Sequence, residues 1–159
     1  TIAASVGILT EFLCRREDLQ EAWRRDPSQL PAAIEEILRL HGPLVTSRRV
    51  TTCPVEIGGR EIAANERITL NWISANRDEE VFADPEAFRP DRDPAANLLW
   101  GAGLHVCPGA PLARLEMRVF LEEFLAASIW ITTDPEKSPT LAVYPASGFA
   151  TLPVQVHWS

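Results

Sequence analysis

Apolar residues in the first segment recur at Ile2, Val6, Leu9 and Leu13, in steps of four, three and four. That spacing lines up side chains on one face of an α-helix. The segment opens on Thr1 with no capping residue or initiator Met before it, which reads as a cut through a longer helix. A second helix is predicted over Asp18 to Arg25. Asp26-Pro27-Ser28 ends it and caps a third, which Pro31 begins and which runs to Leu40. Gly42-Pro43 stops the third helix, because proline disfavours helical geometry at the residue before it. The period then falls to two. Val50, Val55, Ile57, Ile62, Ile68 and Leu70 alternate with polar neighbours, and Gly58-Gly59 separates two short runs as a hairpin turn does. A small antiparallel sheet over residues 48–73 is expected.

Residues 76–97 are polar and carry prolines, predicting an irregular segment that hugs the surface, with room for one helical turn around Glu79 to Phe82. A glycine-rich loop, Gly101 to Gly109, leads into a helix from Ala110 to Ala127, with Pro111 in its first turn and Leu112 and Val119 among apolar residues at helical spacing. The tail reads as two strands, Leu141 to Tyr144 and Val154 to Trp158, joined through Gly148. This order predicts one α+β unit, mainly helical, with small antiparallel sheets.

Composition narrows the function. The chain has 159 residues, 46% of them hydrophobic, enough for a packed core and too apolar for a disordered chain. Its net charge of −7, without a block of Lys or Arg, argues against nucleic acid or an anionic membrane as the main partner. The apolar stretch from Ile2 to Leu13 is too short to span a bilayer and lacks the basic front of a signal peptide. Cys14, Cys53 and Cys107 are dispersed and odd in number, so a reducing, cytoplasmic setting without disulfides is expected. The 13 prolines are spread between periodic segments and punctuate a fold.

The densest chemistry lies in Trp100-Gly101-Ala102-Gly103-Leu104-His105-Val106-Cys107-Pro108-Gly109. A cysteine just ahead of a helix faces unpaired N–H groups, an environment that favours the thiolate, which is a nucleophile or a soft metal ligand. Gly101, Gly103 and Gly109 let the backbone turn tightly and approach a flat ligand. The plain alternative is a buried apolar thiol in a glycine-rich turn. Glu36 and Arg39, three apart in Ile34-Glu35-Glu36-Ile37-Leu38-Arg39, by themselves form an ordinary helical ion pair. A cysteine hydrolase using Cys107 with His105 fits poorly, since two residues apart in a tight loop seldom gives nucleophile and base a working geometry.

Taken together, these segments resemble the cytochrome P450 family of haem-thiolate monooxygenases, over nearly the whole chain. Glu36-Ile37-Leu38-Arg39 matches the family's Glu-x-x-Arg helix. Phe88-Arg89-Pro90-Asp91-Arg92 matches the meander segment whose arginine completes a structural cluster of Glu36, Arg39 and Arg92. Residues 100–109 match the haem-binding loop Phe-Gly-x-Gly-x-His-x-Cys-x-Gly except at the first position, where Trp100 replaces Phe.

The resemblance implies the C-terminal, haem-binding part of a bacterial-type member. Cys107 would be the axial thiolate of haem b, with Trp100, Gly101, Gly103 and Gly109 around it, and His105 and Arg49 would hold the propionates. Trp100 would pack near the sulfur and offer an indole N–H. Thr1 would stand where the family keeps its oxygen-activating threonine, and Leu44, Val45, Thr46 and Phe149 would face the substrate. The implied reaction inserts one atom of O2 into a small apolar substrate, with electrons from a ferredoxin- or flavodoxin-type donor meeting Arg114 and Arg118. The helices that close the distal side in the family have no counterpart in the sequence, so a water-excluded pocket is not predicted. The rival reading is a truncated or degenerate relative without haem that acts as an interaction or activating partner for another protein.

Overall fold

The computed structural model describes residues 1–159. Helix α1 spans Ile2–Cys14, α2 Glu17–Arg25 and α3 Leu30–Leu40. The Asp26 carboxylate accepts from the Ser28 N–H at 3.2 Å and caps the 3₁₀ turn Pro27–Gln29 that leads into α3. Helix α5, Ala110–Ala127, runs over the residues its pattern predicts. These helices close around one apolar cluster that includes Leu9, Leu13, Ile34, Ile37, Met117 and Leu121. The buried side of α1 is Ser5, Ile8, Leu9 and Leu13, rotated from the face expected, so that Ile2 is exposed and Val6 half-buried. On α5 the core takes Ala113, Met117, Leu121 and Leu125, four apart, whereas Leu112, Leu115 and Val119 form a second apolar stripe that faces outward.

The predicted sheet is a nested hairpin of two ladders. Strand β1 (Thr46–Val50) pairs antiparallel with β4 (Arg67–Asn71), and within that excursion β2 (Val55–Ile57) pairs with β3 (Arg60–Ile62). Gly58 and Gly59 turn the tip with φ of 60° and 75°, values that side chains with a Cβ seldom adopt. Thr51 pins the base of the excursion. Its N–H donates to the Glu66 carbonyl (3.0 Å), its carbonyl accepts from Asn65 (2.8 Å), and its hydroxyl donates to the Ala63 carbonyl (2.6 Å).

Three features differ from expectation. Trp72–Ala75 forms a one-turn helix, α4, capped by the Asn71 side chain, which accepts from the Ser74 N–H at 3.2 Å. Ser128–Thr133 forms strand β5, and Val154–Trp158 (β8) pairs with it, not with the preceding tail strand. That tail strand shrinks to Thr140–Leu141 (β6) and pairs through the Gly148 turn with β7, Phe149–Thr151. The turn near Glu79 to Phe82 is a single one, closed by the Phe82 N–H on the Asp78 carbonyl at 2.8 Å.

The edge of β5 turned away from β8 is covered at Ile131 by a side chain. The carboxamide of Gln20, fully buried on α2, donates to the Ile131 carbonyl at 2.8 Å and accepts from the Ile131 N–H at 3.0 Å, standing in for a neighbouring strand. No helix is long and apolar enough to cross a membrane.

A cleft around Cys107 and the cluster behind it

Consecutive residues on a helix diverge by about 100°, and α3 uses this to serve two structures with adjacent carboxylates. Glu36 points into the irregular segment. Its carboxylate takes both Arg39 Nε (2.8 Å) and Arg39 Nη2 (2.9 Å), the Arg89 backbone N–H (3.1 Å) and Arg92 Nε (3.0 Å). Arg39, only 1% exposed, donates further to the carbonyls of Asn76 (2.5 Å) and Pro85 (2.8 Å), and its guanidinium lies 4.9 Å from the Phe82 ring centre. Arg92 donates to the carbonyls of Ala83 and Asp84. Glu36, Arg39 and Arg92 therefore meet in one buried network that laces residues 76–92 to α3. Burial alone pushes the Glu36 carboxyl up, but the donors of Arg39, Arg89 and Arg92 outweigh it and hold the group below its usual value.

Glu35 points toward the cysteine loop. Both its oxygens receive the Trp100 indole N–H (3.1 and 2.9 Å), and one also receives Arg114 Nε at 2.6 Å. The Arg114 guanidinium lies 4.8 Å from the Trp100 ring centre. The indole N–H is thus committed to a carboxylate on a different element. Arg114 is likewise engaged, and Arg118 pairs with Glu122 at 3.8 Å.

Between α1, α3, β1, α4, the loop and α5 lies a cleft of about 410 Å³. Cys107 reaches it from three residues ahead of the start of α5, its backbone N–H donating to the Trp100 carbonyl at 2.7 Å. Gly101 has φ of 74°, and a Cβ there would meet the His105 carbonyl oxygen at 3.0 Å, so only glycine lets the loop fold back this closely. A Cβ on Gly109 would touch the Cys107 sulfur at 3.9 Å. Gly103 adopts φ of 60° in the 3₁₀ turn that presents His105.

Ser47 and Arg49, two apart on β1, share the cleft-facing side of the strand. Arg49 spends one N–H on the Arg48 carbonyl at 2.9 Å, which leaves most of its five donors for the cleft. The structure thus brings Thr1, Leu44, Arg49, Trp100, His105 and Cys107 to one cavity, with Gly101 and Gly109 in its wall. A sulfur, a free guanidinium and an imidazole around an apolar cleft are a donor set suited to a flat, iron-bearing dicarboxylate, and haem fits that description.

Three expected substrate-facing residues are not in the wall. Thr46 Oγ1 is hydrogen-bonded to the Tyr144 hydroxyl at 2.6 Å. Val45 is tied by its backbone to Pro145 and Trp72. The Phe149 ring lies over Gly7 on α1, 3.9 Å from where a Cβ would be. Trp72, which sequence reasoning missed, does line the cleft, its indole N–H donating to Ser47 Oγ at 2.8 Å. A tryptophan closing a strand beside a capping Asn was the available signal.

Comparison with known proteins bears on the family. Residues 13–157 match the family described as Cytochrome P450. The chain is similar to a steroid C26-monooxygenase of Mycobacterium tuberculosis, 39% identical over 147 residues, covering 91% of this chain and 40% of the relative. It is 43% identical over 136 residues to an erythromycin C-12 hydroxylase of Saccharopolyspora erythraea, covering 84% of this chain and 34% of the relative. Its backbone superposes on the open form of cytochrome P450 EryK from S. erythraea with a TM-score of 0.91 at 36% identity, over 98% of this chain and 40% of that one. The chain therefore spans less than half the length of the relatives it matches. With the matched residues covering nearly the whole chain and the helices and small antiparallel sheets superposing throughout, the chain belongs to the cytochrome P450 family.

Proposed function

We propose that this chain is the C-terminal, haem-binding part of a haem-thiolate monooxygenase, in which the Cys107 sulfur would hold the iron of haem b. The observation that carries the reading is the convergence of Cys107 and His105, from the glycine-rich loop, and Arg49, from β1, on one cleft. When bound, haem supplies the reductive activation of O2 and the transfer of one oxygen atom to substrate.

The chain's own residues do the rest. Cys107 would offer its sulfur from the loop that leads into α5. Arg49 and His105 donate N–H groups to the two propionates, which would be costly to bury unpaired. Gly101 and Gly109 keep the loop thin enough for a flat ring to lie against it. Leu44, Pro43, Leu38, Ala113 and Met117 give the cleft an apolar wall, which suits a small apolar substrate. Thr1, just ahead of α1, lines the cleft and would offer its hydroxyl there as a proton donor. Electrons come from a ferredoxin- or flavodoxin-type donor, and the whole acts in the cytoplasm.

The test is a haemin titration of the purified chain followed by a reduced, carbon monoxide difference spectrum. A red-shifted thiolate Soret band that disappears in Cys107→Ala supports the reading. Arg49→Leu and His105→Phe should each weaken haemin binding about tenfold, the value of one charge-assisted hydrogen bond. Equal labelling of Cys107 by a thiol probe with and without haemin would refute it.

A further inference from the structure

We propose that Glu35 is a positioning residue for the cysteine loop, acting through the indole of Trp100. The proposal has two parts: Glu35 fixes where Cys107 sits in the haem-free chain, and, resting on the haem reading above, it thereby keeps the sulfur in one orientation toward iron.

The link can be followed atom by atom. Glu35 is anchored on α3, between Ile34 and Glu36, both buried. Its carboxylate receives the Trp100 indole N–H on both oxygens and Arg114 Nε on one, and its side chain is 18% exposed. Arg114 also covers the Trp100 ring, so the indole is held at its edge by one residue and over its face by another. Trp100 cannot turn without breaking these contacts. Its carbonyl, in turn, receives the Cys107 N–H at 2.7 Å, the shortest bond within the loop, while its neighbour Gly101 donates to the Leu98 carbonyl at 2.9 Å. The position of the cysteine backbone thus follows the position of residue 100, and residue 100 follows Glu35.

A phenylalanine at position 100, the residue the family pattern has there, would carry no N–H and could not be governed by a carboxylate. The Glu35 effect is therefore specific to a chain with tryptophan at that place. It also separates the roles of two adjacent carboxylates on α3. Glu36 organises the irregular segment, and Glu35 organises the loop that carries the sulfur.

The experiment measures the alkylation rate of each cysteine by iodoacetamide in the haem-free 159-residue chain, resolved by mass spectrometry, for Glu35→Ala, Glu35→Gln, Trp100→Phe and the Glu35→Ala/Trp100→Phe double variant. Glu35→Ala is expected to raise the Cys107 rate about fivefold, the factor that the loss of one hydrogen bond releases, while Cys14 is unchanged. Trp100→Phe should do the same, and the double variant should add nothing further, because both changes cut one chain of contacts. Glu35→Gln keeps an oxygen for the indole and should stay within twofold of the parent. Additive single effects, a Cys107 rate unmoved by Glu35→Ala, or a rise shared equally by Cys14 would each overturn the proposal, the last by showing general loosening.

With haemin added, Glu35→Ala should give a mixed Soret spectrum where the parent and Glu35→Gln give a single band. A single band in Glu35→Ala would overturn the second part of the proposal. A chain that takes up no haemin in any form would refute the haem reading, and the second part with it, and leave the alkylation rates to decide the placement of Cys107 by Glu35.

Discussion

Removing the Glu36 carboxylate should be the most damaging single truncation outside the apolar core. Glu36→Ala deletes the acceptor of four hydrogen bonds and leaves two arginines, one of them only 1% exposed, without their counter-charge. Breaking a buried ion pair by removing one partner costs about 3–5 kcal/mol. Here Arg39 keeps the Asn76 and Pro85 carbonyls and Arg92 keeps those of Ala83 and Asp84, so part of the desolvation remains compensated. The loss should fall at the lower end, about 3 kcal/mol, and lower Tm by roughly 6–12 °C for a chain of this size. Urea unfolding followed by circular dichroism, with Tm as a second measure, gives the number directly. The same assay gives the pH dependence. The folded Glu36 carboxyl titrates below its usual value, so the unfolded chain takes up the proton first as pH falls. The stability contributed by this group is complete at neutral pH, declines once pH drops below the ordinary glutamate value of ~4.3, and is gone below the folded value. Glu36→Gln should lose that part of the acid slope. A Glu36→Ala protein that unfolds within 1 kcal/mol of the parent (a margin below the ~3–5 kcal/mol expected of a broken buried pair) would refute the network as a structural centre.

Other outcomes follow from single residues. Gln20→Leu keeps the volume but strips the edge of β5, leaving the Ile131 N–H and carbonyl unpaired, and should cost about 2–4 kcal/mol in the same unfolding assay. Burial and the nearby Glu11 charge push the Cys14 thiol up to about 11, so at pH 8 maleimide should modify it at least ~100-fold more slowly than an ordinary thiol, after the exposed Cys53 has reacted completely. On the haem-thiolate reading, Pro108→Leu restores a backbone N–H beside the sulfur and should raise the midpoint potential of the haem-loaded chain, since donors to a ligand sulfur ease reduction. An unchanged potential in a redox titration would count against that account.

The helices were legible because their signals are local. Pro31, Gly42-Pro43 and Pro111 punctuate α3 and α5 within a residue or two of where they begin and end. Apart from the locally capped turn α4, the failures involve distant partners. Strand β5 follows α5 with no break residue, and its partner β8 lies beyond two intervening strands, so its run of β-branched and aromatic residues, Ile129 to Thr133, was the sole hint. On α5 the apolar residues occupy two faces, and periodicity alone cannot say which of them meets the core. The Glu36, Arg39 and Arg92 cluster was foreseen through the family pattern, not through spacing, since an i,i+3 pair by itself is ordinary. The direction of the Trp100 indole could not be read at all: its acceptor, Glu35, sits on another helix, and nothing in the loop points to it.

The Thr51 pin has a consequence for engineering. Because that residue closes the ladder at Glu66 before the chain departs into the Gly58-Gly59 tip, the alignment of β1 on β4, and with it the side on which Arg49 emerges, does not depend on how long the tip is. An epitope or a fluorescent label spliced between the two glycines should ride on the outside of the molecule as inert cargo. Thr51→Val would remove only the hydroxyl bonds to the Ala63 carbonyl and the Glu66 N–H and leave the backbone pair with Glu66 and Asn65, so the insulation should survive it.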